Sequence, residues 1–270
     1  AGTAGQKLSF DGTDLTSSGN NTVKWRLIDP YGRQEGSLNS LDSGSSSFTT
    51  KANGQYLLVV EGAQGNTAQV DYSFTLSKVN DIDTAMPLDQ VVNSSGTLPY
   101  QLANYHFTLD ADTTAVFDSL AGTSYQWSLT GPLGQVINAR QPASYDADNA
   151  LQLAAGSYTL TVSSTSSNGS GSYAFRLLTS ASAQTLNPSE AIDATLFRST
   201  GQTIYKVVLQ QGDRLHLDSQ PPAGGTVRWR LLDPYGVSID NGRLGDGADP
   251  FSAPVDGEYW LVVGGDAGEV

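Results

Sequence analysis

The chain of 270 residues lacks cysteine, has a single methionine and carries charge on only 15% of its residues. The absence of cysteine excludes disulfides and thiolate metal sites within it. Acidic residues outnumber basic ones by 27 to 14, for a formal net charge of −13. A nucleic-acid partner needs a basic footprint, so we expect none. No apolar run exceeds about five residues whereas a membrane-spanning helix needs roughly 20, so we expect no membrane span.

Residues suited to catalysis are also scarce. The two histidines, His106 and His216, each lie between apolar residues of a predicted strand and should face away from its core. Neither belongs to a nucleophile or zinc motif, and the chain has no G-x-S-x-G element. We therefore expect that the protein is not an enzyme, and the sequence identifies no cofactor with certainty.

The chain is organised as a tandem repeat. Three tryptophans follow one another at intervals of 102 residues: Trp25, Trp127 and Trp229. They open the related phrases W-R-L-I-D-P-Y-G at 25–32, W-S-L-T-G-P-L-G at 127–134 and W-R-L-L-D-P-Y-G at 229–236. A Gly-x-Tyr element keeps step with them at 54–56, 156–158 and 257–259. Self-similarity at a fixed period indicates an array of structural units, here of about 100 residues each.

The middle repeat shows the strand pattern most clearly. Apolar and polar residues alternate at 105–109, 125–129, 158–162 and 173–177, as in half-buried strands. The three repeat tryptophans fall on the inward side of such strands, so we expect each of them in the core of its module. Shorter apolar segments at 97–98, 116–120, 136–137 and 151–153 bring the predicted set to about eight strands. Many short strands separated by turn signals are typical of an antiparallel sandwich. The predicted fold class is all-β, with tandem antiparallel β-sandwich (jelly-roll-like) modules.

We place the module boundaries in two short polar joints that each carry a proline, Pro87 and Pro188. Module 1 is residues 1–79, module 2 is residues 80–180 and module 3 is residues 181–270. Short joints with proline limit bending, so we expect a semi-rigid string of modules. Compared with module 2, module 1 lacks its opening strands and module 3 its closing strand. We therefore expect a segment of a longer repetitive polypeptide.

The strands also predict what each module presents to its surroundings. Thr159 and Thr161 face outward in module 2, whereas apolar residues take the matching positions in the other modules: Leu57 and Val59, and Trp260 and Val262. Exposed apolar strand faces indicate a contact surface for self-association, with Trp260 as its anchor. The alternative is that a neighbouring loop covers them. Basic residues lie beside both apolar sets: Lys24 and Arg26 in module 1, and Arg228 and Arg230 in module 3. They either meet acidic patches of an adjacent module or form a solvated sheet face.

Aspartates recur at equivalent positions and raise the question of calcium, which binds carboxylate and carbonyl oxygens on loops. One set follows a strand residue: Asp11, Asp118 and Asp218. Another precedes the Gly-x-Tyr element: Asp42, Asp146, Asp148, Asp246 and Asp249. No D-x-D-x-D-G loop is present, and solvation of turns is the alternative explanation. Asp29 and Asp233 open D-P-Y-G segments and are interpreted as turn formers. The metal assignment therefore stays open, with calcium as the candidate.

Three phrases, W-x-L-x-D-P-x-G, A-G-S-Y-T-L-T-V and G-S-Y-A-F-R-L-L, resemble tandem β-sandwich repeats of very large secreted bacterial proteins. The chain looks like a relative of the bacterial pre-peptidase C-terminal (PPC-like) domain. The resemblance covers nearly all of the chain and implies jelly-roll modules strung along a surface or released protein, often an adhesin or a fibre. The chain departs from the family pattern in one respect. In the family an acidic D-x-Y often precedes the opening strand, whereas this chain has A-N-Y at 103–105 and Q-T-I-Y at 202–205.

Two functions follow as expectations. The first is a structural or adhesive extracellular repeat protein of the bacterial cell surface, whose partners are copies of itself or adjacent modules of one long chain. The second is a carbohydrate- or substrate-binding accessory module of a secreted enzyme. A sugar site needs exposed aromatic platforms, for which the candidates are Trp260, Tyr31 and Tyr235. The sequence does not discriminate between these partners, and a glycan remains the alternative ligand.

Overall fold

A computed structural model describes residues 2–14, 23–41, 46–62, 69–142, 150–166, 169–196, 201–222 and 226–265. Strands account for 57% of the described residues, and none of these residues is helical. The strands form several antiparallel sheets, which confirms the predicted all-β class. Within the same residues no helix is long and apolar enough to cross a membrane.

Module 1 contributes two three-stranded sheets. Its strands are β1 (Lys7–Asp14), β2 (Val23–Ile28), β3 (Gln34–Ser40), β4 (Ser46–Thr49), β5 (Leu57–Gly62) and β6 (Tyr72–Val79). The sheet orders are β4-β1-β6 and β3-β2-β5, and neighbouring strands in both are antiparallel. Phe10 on one sheet stacks on Trp25 of the other at 4.0 Å between ring centroids, so the two sheets pack face to face around an aromatic centre.

Module 2 is the larger sandwich. Its strands are β7 (Ile82–Ala85), β8 (Val92–Ser94), β9 (Leu102–Leu109), β10 (Thr113–Ala121), β11 (Tyr125–Gly131), β12 (Gly134–Arg140), β13 (Leu151–Leu153), β14 (Gly156–Ser164) and β15 (Tyr173–Thr179). A four-stranded sheet, β13-β10-β15-β8, faces a five-stranded sheet, β12-β11-β14-β9-β7. Phe117 stacks on Trp127 at 4.0 Å, as its counterpart does in module 1. The strand expected at 97–98 is wrong, because Val92–Ser94 takes the edge beside β15 instead.

Module 3 is built around one five-stranded sheet. Its strands are β16 (Gln184–Thr185), β17 (Gln202–Leu209), β18 (Arg214–Leu215), β19 (Val227–Leu232), β20 (Ser238–Arg243), β21 (Phe251–Ser252) and β22 (Gly257–Gly265). The main sheet has the order β16-β17-β22-β19-β20, and β18 pairs with β21. Trp229 and Tyr259 lie in its core.

The described strands belong to two compact units. One comprises Ala1–Ile82 with Thr97–Ala103 and Ser163–Ser170, and so holds the strands of module 1. The other comprises Asp83–Gly96, Asn104–Val162 and Gly171–Val270. The second unit therefore joins almost all of module 2 to module 3.

The tryptophan of each repeat is a core residue. Trp25, Trp127 and Trp229 are 3%, 3% and 5% exposed. The tyrosine of each Gly-x-Tyr element donates its hydroxyl to the carbonyl four residues earlier: Tyr56 to Ala52 at 3.1 Å, Tyr158 to Ala154 at 2.8 Å and Tyr259 to Val255 at 2.8 Å. The repeat thus reproduces one set of core and corner contacts three times.

The two sequence landmarks recur together because they touch. In each module the glycine of Gly-x-Tyr lies against the proline of the tryptophan phrase. A Cβ on that glycine would lie 2.7 Å from Pro30 Cγ in module 1, 2.7 Å from Pro132 Cγ in module 2 and 2.5 Å from Pro234 Cγ in module 3. The same glycines have φ of 144°, 142° and 150°, a region that side chains disfavour. Packing and backbone conformation therefore both require glycine.

The aspartates of the D-P-Y-G segments form turns, as expected. Asp29 Oδ1 accepts from the amides of Tyr31 at 2.9 Å and Arg33 at 2.8 Å. Asp233 Oδ1 accepts in the same way from Tyr235 and Val237. Burial is the largest single influence on the pKa of Asp29 and acts to raise it. The hydrogen bonds from Arg33 and Tyr31 together outweigh burial, so the pKa lies below its ordinary value. These carboxylates fix the loop after the tryptophan strand.

Candidate functional site at the junction of modules 2 and 3

The outward apolar residues of module 3 are buried. Trp260 and Val262 are 4% and 3% exposed, and they pack in one cluster with residues from both modules. Module 3 supplies Ile204 and Leu232 beside them on its outer face, while module 2 supplies Val116, Leu178 and Ala150. The face of the β17-β22-β19 sheet is thus covered by the β10-β15 sheet of module 2. Each valine, leucine or isoleucine side chain buried there contributes about 1.5–3 kcal/mol relative to exposure.

A polar network lies next to this apolar cluster. The Asp118 carboxylate of module 2 is fully buried and accepts from Arg176 Nε at 2.6 Å. Across the junction, Asp118 Oδ2 also accepts from the Gln202 amide at 3.2 Å, and Arg176 donates to the Gln202 carbonyl at 2.5 Å. Arg230, 7% exposed, donates to Gln202 Oε1 at 2.9 Å. Because these hydrogen bonds are directional, they define the relative position of the two packed sheets.

The environment of Asp118 sets its titration. Burial raises the pKa of the Asp118 carboxyl above its ordinary value, and the opposing effects of Arg176 and Gln202 do not cancel this. A buried ion pair adds little net stability, but removing one partner leaves the other charge buried without compensation. Asp118 and Arg176 therefore act as a matched pair.

The D-P-Y-G turn of module 3 makes a second contact with module 2. The amide of Ala150 donates to the Gly236 carbonyl at 2.8 Å. A Cβ on Gly236 would lie 2.7 Å from Gln152 Nε2 and 3.1 Å from Ala150 Cβ. At the equivalent Gly32 and Gly134, no atom of the described residues lies within 4 Å of such a Cβ. This turn is consequently part of the junction only in module 3.

The matching residues of module 1 lie in a different environment. Leu57 is 58% exposed and Val59 is half-buried, although both occupy the positions of Trp260 and Val262 on the outer face of their sheet. Arg26 lies beside them and pairs with Glu61 at 3.4 Å, with both side chains partly exposed. The structure brings Trp260 and Val262 together and leaves Leu57 and Val59 at the surface.

The calcium candidates are not gathered into one site. Among the residues described, no group of three or more histidine, aspartate or glutamate side chains is arranged to hold a metal ion. Asp118 pairs with Arg176, and Asp11 is exposed. Asp42, Asp146 and Asp148 lie outside the described residues. Calcium binding stays a prediction.

His106 takes part in a hydrogen-bonded chain on the outer face of module 2. Its Nδ1 lies 3.1 Å from Thr159 Oγ1, and its Nε2 lies 3.2 Å from Asp83 Oδ1. The sequence of groups is that of a nucleophile, a base and an orienting acid. His106 and Asp83 are nevertheless 49% and 63% exposed, so water screens both groups. Hydrogen bonding by His106 lowers the pKa of Asp83. The arrangement holds β7 against its sheet.

A groove of about 210 Å³ adjoins the junction on the outer face of module 3. Polar side chains from three strands line it, among them Gln202, Arg228, Arg230, Ser238 and Asn241. The tyrosines of the D-P-Y-G turns lie elsewhere at the surface, with Tyr31 72% exposed and Tyr235 67% exposed. Of the three proposed sugar platforms, Trp260 is therefore the one that is buried.

Sequence reasoning missed half of the junction. It found Trp260 and Val262 from strand alternation but did not identify the receiving residues Val116 and Leu178. Their signal was present, since both occupy outward positions that hold serine in module 1, Ser9 and Ser77. Comparing outward residues on both sheets of every module would have paired the two faces.

Comparison with known proteins assigns no family to the chain. No protein-family model matches the chain, and the search of curated proteins finds no relative for it. The resemblance to PPC-like repeats accordingly stays a prediction.

Proposed function

We propose that the chain is a structural repeat segment of an extracellular or bacterial cell-surface protein, in which β-sandwich modules act as spacers and self-associating subunits. The observation that carries this proposal is the junction of modules 2 and 3. Trp260, Ile204 and Leu232 are buried against Val116 and Leu178, while Asp118, Arg176 and Gln202 join the two sheets by hydrogen bonds. An extensive junction of this kind resists bending, which a spacer requires.

The absence of cysteine makes a direct test of rigidity straightforward. Two exposed positions, Leu133 in module 2 (90% exposed) and Val208 in module 3 (76% exposed), are each replaced by cysteine in the full chain and spin-labelled. Pulsed electron spin resonance then measures the distribution of distances between the labels. A single narrow distribution is the expected result.

The matched control replaces the two apolar outer-face residues of module 3 by the threonines that module 2 has at the same repeat positions. Trp260→Thr and Val262→Thr copy Thr159 and Thr161, which suit strands and leave the inner face unchanged. This variant should broaden the distribution while both cores stay folded. If the unmodified chain shows a distribution as broad as the control, the modules are loosely tethered and the spacer proposal is wrong.

A carbohydrate-binding role is the second candidate, favoured by the exposed tyrosines. Tyr31 and Tyr235 project from equivalent turns, and the Arg33 guanidinium lies 5.3 Å from the centre of the Tyr31 ring. Exposed aromatic rings flanked by polar groups can stack on sugars. A glycan array that registers binding by the native chain, and loss of binding by the Tyr31→Ala and Tyr235→Ala double variant, would favour this role over the first.

A further inference from the structure

Module 1 carries a charged triplet on the outer face of its β3-β2-β5 sheet. Lys24 pairs with Glu61 across β2 and β5, and the Arg26 guanidinium lies 3.4 Å from the Glu61 carboxylate. Side chains at such neighbouring positions on one face of a sheet interact directly. In this module the chain itself therefore supplies a carboxylate to its outward basic pair.

The same three positions of the repeat are occupied differently in the other modules. Module 2 has no charge at any of them: Gln126, Ser128 and Ser163. Module 3 has the basic pair but glycine in place of the glutamate: Arg228, Arg230 and Gly264. The register supports this equivalence, because Arg228 pairs with Gly264 as Lys24 pairs with Glu61. Module 3 thus retains both cationic residues and lacks the glutamate side chain beside them.

A groove takes the place of that side chain. The groove of about 210 Å³ on the outer face of module 3 is lined by all three counterparts, Arg228, Arg230 and Gly264. Its other polar side chains are two neutral amides and a hydroxyl: Gln202, Asn241 and Ser238. Among the described residues that line it there is no aspartate or glutamate. The groove is therefore a concave basic site on a chain whose net charge is −13.

The junction of modules 2 and 3 holds one side of this groove in place. Arg230 is 7% exposed and donates to Gln202 Oε1 at 2.9 Å. Gln202 is fixed in turn, because its backbone amide donates to Asp118 Oδ2 at 3.2 Å and its Nε2 donates to the Phe117 carbonyl at 3.3 Å. A guanidinium group that is already oriented loses less conformational entropy when it binds an anion. The contacts of the junction therefore preorganise the groove for a ligand.

We propose that this groove binds a small sugar that carries a carboxylate, of which a hexuronic acid is the simplest example. The ligand carboxylate takes the position that the Glu61 carboxylate has in module 1, because guanidinium groups bind carboxylate oxygens through paired N–H donors. Amide and hydroxyl side chains both donate to and accept from sugar hydroxyls, as the rest of the lining requires. The volume is below the roughly 300–1,000 Å³ of sites for drug-sized ligands, so the groove suits a single sugar ring.

This inference goes beyond the spacer role and does not depend on it. It places the ligand at the arginine groove, apart from the exposed tyrosines of the D-P-Y-G turns. Of the three modules, module 3 alone combines two basic residues with glycine at the triplet positions. We therefore expect one such site per chain.

The test titrates the full chain with glucuronate and follows the backbone amides by two-dimensional NMR. Glucose, which has the ring without the carboxylate, and acetate, which has the carboxylate without the ring, are the matched ligand controls. Glucuronate should saturate one site, with shifts concentrated in β19, β20 and β22. Each control ligand should bind about tenfold more weakly or less. Inorganic phosphate and a tetraglutamate peptide test the other anions that arginine recognises.

Two matched variants locate the binding. Arg228→Gln copies Gln126, which module 2 has at the same repeat position, and should weaken glucuronate binding by about tenfold or more. Lys24→Gln removes the equivalent charge from module 1, where Glu61 is present, and should leave the affinity unchanged. Circular dichroism verifies that both variants stay folded. The comparison of glucuronate with glucose on the native chain tests the proposal without any substitution.

Several results would overturn the proposal. These are absence of glucuronate binding by the native chain, binding of glucose or acetate as tight as that of glucuronate, and equal loss of affinity in the two variants. Tighter binding of phosphate or of tetraglutamate would also overturn it, by assigning the groove to a phosphate group or to an acidic protein partner. None of these measurements depends on the distance distribution between modules 2 and 3, so failure of this proposal is distinguishable from failure of the spacer proposal.

Discussion

Modules 1 and 3 both carry apolar residues at the same outward positions, but these residues meet different surroundings. Leu57 and Trp260 occupy one position of the repeat, and so do Gly32 and Gly236. In module 3 both positions are covered by module 2. In module 1 Leu57 is 58% exposed, and a Cβ added to Gly32 would meet no atom of the described residues within 4 Å. A strand pattern therefore predicts which way a residue points but not what covers it.

The largest expected difference in unfolding free energy between the two modules is for substitutions at Trp260 and at its counterpart Leu57. Trp260→Ala removes a large buried side chain from the junction and should lower the free energy of unfolding by about 3–5 kcal/mol. Leu57→Ala, at the equivalent exposed position, should change it by about 0.5 kcal/mol or less. Urea unfolding of the two variants measures both values. Similar losses would mean that the outer face of module 1 is covered as well.

A comparable contrast is expected at the recurring aspartate. Asp118→Ala leaves the largely buried Arg176 guanidinium without its carboxylate and should cost about 3–5 kcal/mol. Asp11→Ala, on the exposed equivalent, should lie within about 0.5 kcal/mol of the native chain. Thermal unfolding followed by circular dichroism separates the two variants. Equal effects would argue that Asp118 has a role shared by the modules, such as the calcium site predicted for both.

The turn glycines offer a smaller contrast. Gly32 and Gly236 have φ of 81° and 78°, so alanine at either position costs about 1 kcal/mol for the backbone alone. Gly236→Ala should cost about 1–3 kcal/mol more, because its Cβ would meet Ala150 and Gln152 of module 2. Unfolding free energies of the paired variants measure the excess. If Gly236→Ala costs no more than Gly32→Ala, the turn of module 3 does not contact module 2 closely in solution.

The smallest effect concerns pH. The pKa of Asp118 is raised in the folded chain, so its contribution to stability is full below the ordinary value of 3.8 and is lost as the pH rises through the raised value. The stability of the native chain relative to Asp118→Asn should accordingly fall as the pH increases above about 4, then level off. Urea unfolding at a series of pH values gives this difference. A relative stability that instead rises with pH would show that the ion pair with Arg176 outweighs burial.

Local chemistry made several features predictable. Strand alternation placed Trp25, Trp127 and Trp229 in cores, and the turn propensity of Asp-Pro-x-Gly gave the correct role to Asp29 and Asp233. These features depend on residues close together in the chain. Short strands were harder to predict, since β7 and the segment 92–94 have little alternation of their own and are held by long-range partners such as Asp83 with His106.

The junction could be predicted only in part for the same reason. Asp118 and Arg176 are 58 residues apart, and Gln202 comes from another module. Nothing in the local sequence around Asp118 separates a buried partner of arginine from an exposed carboxylate, as Asp11 demonstrates. Pairing of the two faces depends on the packing of whole sheets.

The sequence by itself determined the repeat, the all-β class, the buried indoles and the turns that join the strands, because periodicity and turn chemistry act over a few residues. Tertiary structure alone decided which outer faces are covered and which aspartate is buried. Those outcomes depend on contacts between residues far apart in the chain, whose free energy is gained only when complete sheets meet.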